Sequence, residues 1–226
     1  EFGQKCGIPI KTANYSSEDG TFNSDNEYLT IINTARVKRL DLLEYYDSRK
    51  NILDIERNTL FLLAEELERF KKEKGLKDFT DLLEDFIAKS LPGSLEVLFI
   101  DEAQDLSLIQ WEMVRHLWKY AKKTYIAGDD DQAIFKWAGA DVDHFIALKE
   151  EVNDIKVLDQ SYRIPGGPIH ELSQKIINKV QNRFEKEYKP RDEIGLLKRY
   201  SDITQVDMSK GNWLVLSSAN YFLDDA

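Results

Sequence analysis

The chain is poor in cysteine. Among its 226 residues only Cys6 could form a disulfide, and it has no internal partner. A disulfide-stapled scaffold is thereby excluded, and the usage fits a reducing, cytoplasmic setting. No apolar run approaches the roughly 18 residues that a membrane helix needs, so no bilayer-spanning segment is expected. The three histidines, His116, His144 and His170, are scattered without ligand spacing, which argues against zinc. A surplus of positive charge is also missing. Lys and Arg number 31 against 41 Asp and Glu, for a net charge of -10. That argues against a dedicated electrostatic DNA binder, which would show a basic surface. It leaves room for a locally basic channel, or for aromatic side chains that stack on bases. There is no internal repeat and no low-complexity tract.

What is present is an ordinary globular composition, 42% hydrophobic and 32% charged, long enough for one large domain or two small ones. The first residue is Glu1 and the last ten, "SSANYFLDDA", read as the opening of a helix. Both ends are read as cut from something longer.

Residues 1–24 are mixed, and their Gly, Ser, Asn and Asp predict a loop in the second half. From Asn26 to about Arg49, Leu29, Ile32, Ala35, Val37, Leu40 and Leu43 recur at helical spacing. A second helix is predicted from Ile52 to about Lys74, closed by Gly75. A third, "DFTDLLEDFIAKS", begins after Asp78 as N-cap. The first 90 residues thus read as all-helical. Beyond "LPGS" the pattern changes to strand "LEVLFI", helix "SLIQWEMVRHLWKYA", strand "KTYIAG", short helices, strand "DIKVLDQ" and helix "PIHELSQKIINKVQN". That alternation predicts a parallel sheet with crossover helices. Residues 183–195 read as a charged connection, and "NWLVLSS" at 212–218 as a last strand.

Three polar clusters follow the three strands. "EVLFIDEAQD" ends an apolar run in Asp101 and Glu102. In an open parallel sheet ligands bind at such carboxyl ends. An Asp there can hold Mg²⁺ together with phosphate oxygens, and a neighbouring Glu can deprotonate an attacking water. A solvated strand end would look the same, and the pattern alone leaves the two readings at even odds. "YIAGDDDQAIFKWAGA" delivers Gln132 to the next strand tip, with Phe135 and Trp137 placed to stack on bases, or to pack into a core. "LDQSYRIP" puts Arg163 where it can reach a γ-phosphate, or simply form a surface salt bridge. The basic run "KKEKGLK" at 71–77 can touch a phosphate backbone or be a solvated helix end. The acids at 129–131 also admit a two-metal nuclease, a weaker reading because no His or Lys accompanies them.

Together "FIDEAQD", "GDDDQAIFKWAGA" and "LDQSYRIP" resemble, in order and spacing, motifs II, III and IV of the UvrD/Rep/PcrA-type superfamily 1 DNA helicases. "DFTDLL" is similar to the DFDDLL segment that precedes the motif II strand there. The resemblance is close over residues 78–180. It implies a RecA-like parallel sheet with crossover helices, in an α/β fold preceded by an all-helical, 1B-like insertion. The implied division is 1–77 for the helical region, 78–182 for part of domain 1A, and 183–226 for the entry to domain 2A. It implies ATP and Mg²⁺ as cofactors, and single-stranded DNA and duplex junctions as partners. By resemblance Asp101 binds Mg²⁺, Glu102 is the catalytic base, and Gln132 senses the γ-phosphate. Arg163 is the arginine finger, Tyr162 lies near the adenine, and Phe135 and Trp137 contact single-stranded DNA. Gln104 and Asp105 complete the motif II signature and link it to its neighbours.

Three departures stand out. Ala138 replaces the family's Arg in Trp-Arg-Gly-Ala, and Phe135 replaces a Tyr. No G-x-x-x-x-G-K-[ST] phosphate loop is present, since Lys11-Thr12 follows Ile10. The family's motifs V and VI are also missing. The expectation is therefore a central fragment of an ATP-dependent DNA helicase, itself inactive in hydrolysis. The alternative of a different class is a degenerate, non-catalytic helicase-fold module that serves as an interaction surface.

Overall fold

A computed structural model describes residues 1–8, 26–51 and 55–217, and the backbone of two short strands at 13–15 and 22–24. By contact density the chain divides into two compact units, 1–155 with 182–184, and 156–181 with 185–226.

The first unit opens with the single-turn α1 (Phe2–Cys6). Strands β1 (Ala13–Tyr15) and β2 (Phe22–Ser24) then pair antiparallel, so the N-terminal part is not wholly helical as its sequence predicts. Helices α2 (Glu27–Val37) and α3 (Leu42–Arg49) occupy the stretch read as one helix. The break has two local causes. Arg39 takes a left-handed φ of 52°, and the Asp41 side chain caps a new helix by accepting the Leu43 and Glu44 amides. Helix α4 (Arg57–Lys74) ends at Gly75 in the left-handed conformation, as the sequence predicts. The predicted start near Ile52 lies outside the described residues. Leu29, Ile32, Ala35, Tyr45, Leu60 and Phe70 build the core of this helical part.

Helix α5 (Phe79–Lys89) starts in a capping box. Asp78 accepts the Asp81 amide, and Asp81 accepts the Asp78 amide. The same two carboxylates receive Arg36 at 2.8 and 2.5 Å and Lys71 at 3.1 and 2.8 Å. Lys71, from the basic run, is therefore a buried partner of α5, only 7% exposed. Strand β3 (Leu95–Ile100), helix α6 (Leu108–Trp118) and strand β4 (Ala121–Ile126) form a β-α-β unit whose strands pair in parallel. One face of this pair rests on Trp111, Val114 and Leu148. On the other, Phe99 and Tyr125 stack at 5.2 Å and are exposed. Helix α7 (Val142–Ala147) completes the unit.

In the second unit, β5 (Gln160–Gly166) leads through Gly167 into α8 (Pro168–Ile177), and β6 (Lys189–Ile194) pairs parallel with β5. The sequence expectation is corrected in three places. Residues 154–159 are not strand, because pairing begins only where Lys189 donates to the Asp159 carbonyl at 2.7 Å. The charged stretch 183–195 contains β6, despite its polarity. Residues 212–217 carry no strand, with Leu214 and Leu216 exposed and no partner strand among the described residues. The C-terminal helix start falls outside the described residues. With parallel strands joined by helices, the chain has an α/β fold. No described helix is long and apolar enough to cross a membrane.

Candidate functional site at the strand tips

Strands β3 and β4 end together, with Ile100 opposite Ile126. The ladder runs one step further, Ala127 donating to the Ile100 carbonyl at 2.8 Å and Ala103 to the Ala127 carbonyl at 2.9 Å. Asp101 and Glu102 stand exposed at this tip. Asp101 Oδ1 accepts the Glu102 amide at 2.9 Å. Its other oxygen is left to water or to a hard cation. Glu102 takes a left-handed φ of 50°, a conformation that a non-glycine residue holds only when its surroundings impose it.

What imposes it lies next in the chain. The turn Ala103–Asp105 sends Ala103 and Gln104 inward, 0% and 1% exposed. Gln104 Nε2 donates to Glu102 Oε2 at 2.8 Å and to Asp105 Oδ2 at 3.2 Å. Its Oε1 accepts the Asp129 amide at 2.9 Å. One buried amide thus joins the first carboxylate cluster to the second. Gly128 makes room for it, since a Cβ there would lie 2.7 Å from Gln104 Oε1 and 2.8 Å from Phe145 Cζ. Burial, with the Glu102 charge adding to it against the Gln104 hydrogen bond, pushes the Asp105 carboxyl above its ordinary value. Asp105 Oδ1 is buried and has no hydrogen-bond partner.

At the second tip, Asp129 accepts the Asp131 amide at 3.2 Å and the Gln132 side-chain amide at 2.6 Å. Asp130 accepts the Phe184 amide at 2.6 Å. Asp131 receives the Arg183 guanidinium through two bonds, at 2.8 and 2.7 Å, with the pair almost shielded from water. The three acids face different protein donors, which weighs against a two-metal nuclease. Arg183 and Gln104 matter most to this geometry. Gln104 belongs to the motif II signature, whereas Arg183 carries no local signal, because its partner lies 52 residues away.

The loop runs on into the aromatic pair. Trp137 is 64% exposed and Phe135 half-buried, with ring centroids 6.3 Å apart. The segment is fastened back to the first cluster by a bridge between Ser107 and Ala140 and by the Asp141 amide on the Leu106 carbonyl. Gly139 is required twice over. Its φ is 113°, and a Cβ would meet Val37 Cγ2 at 2.8 Å.

Tyr162 and Arg163 belong to the second unit, on β5, and both are exposed. Ser161 Oγ accepts the Arg163 and Ile164 amides at 3.3 and 3.1 Å and so sets the local backbone. Asp101, Glu102, Gln132, Phe135 and Trp137 are therefore gathered in the first unit, and Tyr162 and Arg163 adjoin one another in the second.

The acids and the polar loop lie at adjoining carboxyl ends of two parallel strands, the place where α/β proteins with open sheets bind their ligands. The particular family follows from comparison. The chain belongs to the UvrD/Rep helicases, since the sequence profile of the UvrD/REP helicase N-terminal domain matches residues 8–153. The ATP-dependent DNA helicase Rep of Escherichia coli is 30% identical over 106 residues, covering 42% of this chain and 16% of that protein. The ATP-dependent DNA helicase PcrA of Staphylococcus epidermidis is 27% identical over 128 residues, covering 52% and 18%. A protein of Rickettsia conorii named as a DNA helicase II homologue is 28% identical over 166 residues, covering 70% and 22%. The chain spans less than a quarter of the length of each of these relatives.

Proposed function

We propose that the chain is the central part of an ATP-dependent motor that moves along single-stranded DNA and opens duplex junctions in the cytoplasm. The observation that carries this reading is the Gln104 bridge. A strand-end carboxylate pair is joined by one buried side chain to a loop that ends in Gln132 and then in an exposed tryptophan. A solvated strand end would not need that wiring. In this reading the parallel strands are RecA-like and the helices of 1–77 a 1B-like insertion, with 183–226 entering domain 2A.

The residues fit the cofactors. Mg²⁺ is held by one or two carboxylates with phosphate oxygens completing its shell, and Asp101 keeps one oxygen clear for that. When bound, Mg²⁺ with ATP supplies the transferable phosphoryl group and neutralises its charge. Glu102, oriented by Gln104, accepts the proton of the attacking water. Gln132, steadied by Asp129, reads the terminal phosphate. Arg163 supplies positive charge to the transferring group, and Tyr162 offers a face to the adenine. Trp137 and Phe135 stack on bases, each stacked base contributing about 1–3 kcal/mol.

The test is ATP turnover by this chain alone against turnover by the longer protein that carries it. The sequence lacks the glycine-rich loop and lysine that cradle the β- and γ-phosphates. The expected result is weak nucleotide binding and negligible hydrolysis by the chain, with turnover in the longer protein. Turnover by the chain at the rate of an intact helicase would overturn the fragment reading. A longer protein that folds but never consumes ATP would support the non-catalytic interaction module instead.

A further inference from the structure

The first unit contains a basic surface that its overall acidity conceals. Helix α2 closes within "RVKR", residues 36–39, with Val37 its last residue and Lys38 its C-cap. Two of these side chains are engaged by acids. Arg36 reaches Asp78, Asp81 and Glu84, while Arg39 reaches Glu84 at 3.0 Å and Glu112 at 2.6 Å. Val37 and Lys38 lie between them, with Arg39 beyond in the left-handed conformation. Val37 lies against Gly139, at the end of the Lys136–Ala138 turn. Lys38, half-buried, follows it and is close enough to feel the charges of Arg49 of α3 and of Lys136. Burial first, then these two like charges, opposed by Asp141, draw its pKa below the ordinary lysine value.

The other cations are held loosely. Lys136 is 72% exposed along its side chain, and its ion pair with Asp143 is long, at 4.0 Å. The Arg49 guanidinium sits 5.1 Å above the Tyr45 ring, with the residue exposed. Asp141 is occupied as the cap of α7, accepting the His144 amide at 2.8 Å. Lys136 immediately precedes Trp137. Three cations stand beside an exposed indole with two acids near them, Asp141 committed as a helix cap and Asp143 at 4.0 Å, so like charges are left for a polyanion to satisfy.

We propose that Lys38, Arg49 and Lys136 form a track for the phosphate backbone of single-stranded DNA, beside the bases stacked on Trp137. The proposal rests on the helicase reading and extends the DNA site into the helical part of the chain. It explains how a chain of net charge -10 holds a polyanion at all. Cations supply affinity by releasing counterions, and stacking fixes the bases.

The test is fluorescence anisotropy of labelled oligo(dT) titrated with this chain at several salt concentrations. The variants are Lys38→Ala with Arg49→Ala, Lys136→Ala alone, and Trp137→Ala. The control is Lys122→Ala, at the opposite end of β4, where it pairs with Glu96 at 2.6 Å. Each lost phosphate contact lowers the logarithmic salt slope by about 0.7 and costs roughly tenfold at about 50 mM salt. The double variant is therefore expected to bind far more weakly and to lose about 1.4 from the slope. Lys122→Ala is expected to match wild type. If the double variant does not fold, Lys136→Ala carries the test with half the slope change.

Unchanged binding in the lysine and arginine variants, with loss in Trp137→Ala, overturns the track and leaves the stacking reading standing. Loss in the cation variants with Trp137→Ala unaffected supports the track and overturns the stacking reading. Absence of binding by wild type at low salt, or equal loss in Lys122→Ala, overturns the track.

Discussion

Replacing Gln104 by Leu keeps similar bulk and an unbranched Cβ but removes the amide that joins the two clusters. Three hydrogen bonds vanish, two of them to carboxylates. Bonds to charged groups contribute about 1.5–3 kcal/mol each, and a buried donor left unpaired costs about 1–3 kcal/mol. The site is 1% exposed, so water cannot enter freely to replace them. Because the bonds share one residue their energies do not add, and the expected loss is about 3 kcal/mol. Hydrogen exchange of the α6 amides, whose Trp111 lies in the adjoining core, follows the first unit separately from the second. Urea unfolding of the same variant gives the total. Gln104→Glu should be worse, since it places a third carboxylate against Glu102 and Asp105. A Leu variant within about 0.5 kcal/mol of wild type, the ordinary range of a surface substitution, would refute the claim that this amide holds the site together.

Arg183→Ala removes both charge-assisted bonds from the nearly buried Asp131 carboxylate and is expected to cost about 3 kcal/mol. The Asp131–Ala133 amides should exchange faster, and Arg183→Lys should recover only part because it lacks the two-pronged geometry. Gly128→Ala forces its Cβ onto Gln104 Oε1 and Phe145, with an expected cost of about 1–3 kcal/mol, read by thermal melting. Acid should loosen the helical part through Asp81. Burial raises its pKa, but the Lys71 hydrogen bond, the Asp78 amide and the Arg36 charge outweigh that and hold it below 3.8. A carboxylate depressed on folding stabilises above its unfolded pKa, and that stability disappears as pH falls through the folded value. Melting followed below about pH 4 should show a steeper loss for wild type than for Asp81→Asn.

Much of the site was legible because its signals are local. Apolar runs broken by Asp101-Glu102 and by Asp129 to Gln132 fix strand tips without any knowledge of partners. Asp78 and Gly75 announce helix ends through side-chain and backbone chemistry within a few residues. The misreadings came where partners are distant or polar. Strand β6 is rich in charge, and it exists because β5 offers it hydrogen bonds, which no periodicity within 183–195 reveals. "DIKVLDQ" and "NWLVLSS" are apolar enough to be strands, but among the described residues neither 154–158 nor 212–217 pairs with a strand. The basic run at 71–77 looked like a solvated helix end. Lys71 is drawn inside only because α5 presents Asp78 and Asp81 to it. Arg183 was invisible for the same reason, its carboxylate lying on another part of the chain.

The most direct test is single-stranded-DNA-stimulated ATP hydrolysis by the longer protein, wild type against Glu102→Gln. The account predicts a fall of roughly 10²- to 10⁴-fold, the range for loss of a general base, with DNA affinity retained. A Glu102→Gln protein that hydrolyses ATP at the wild-type rate would contradict it.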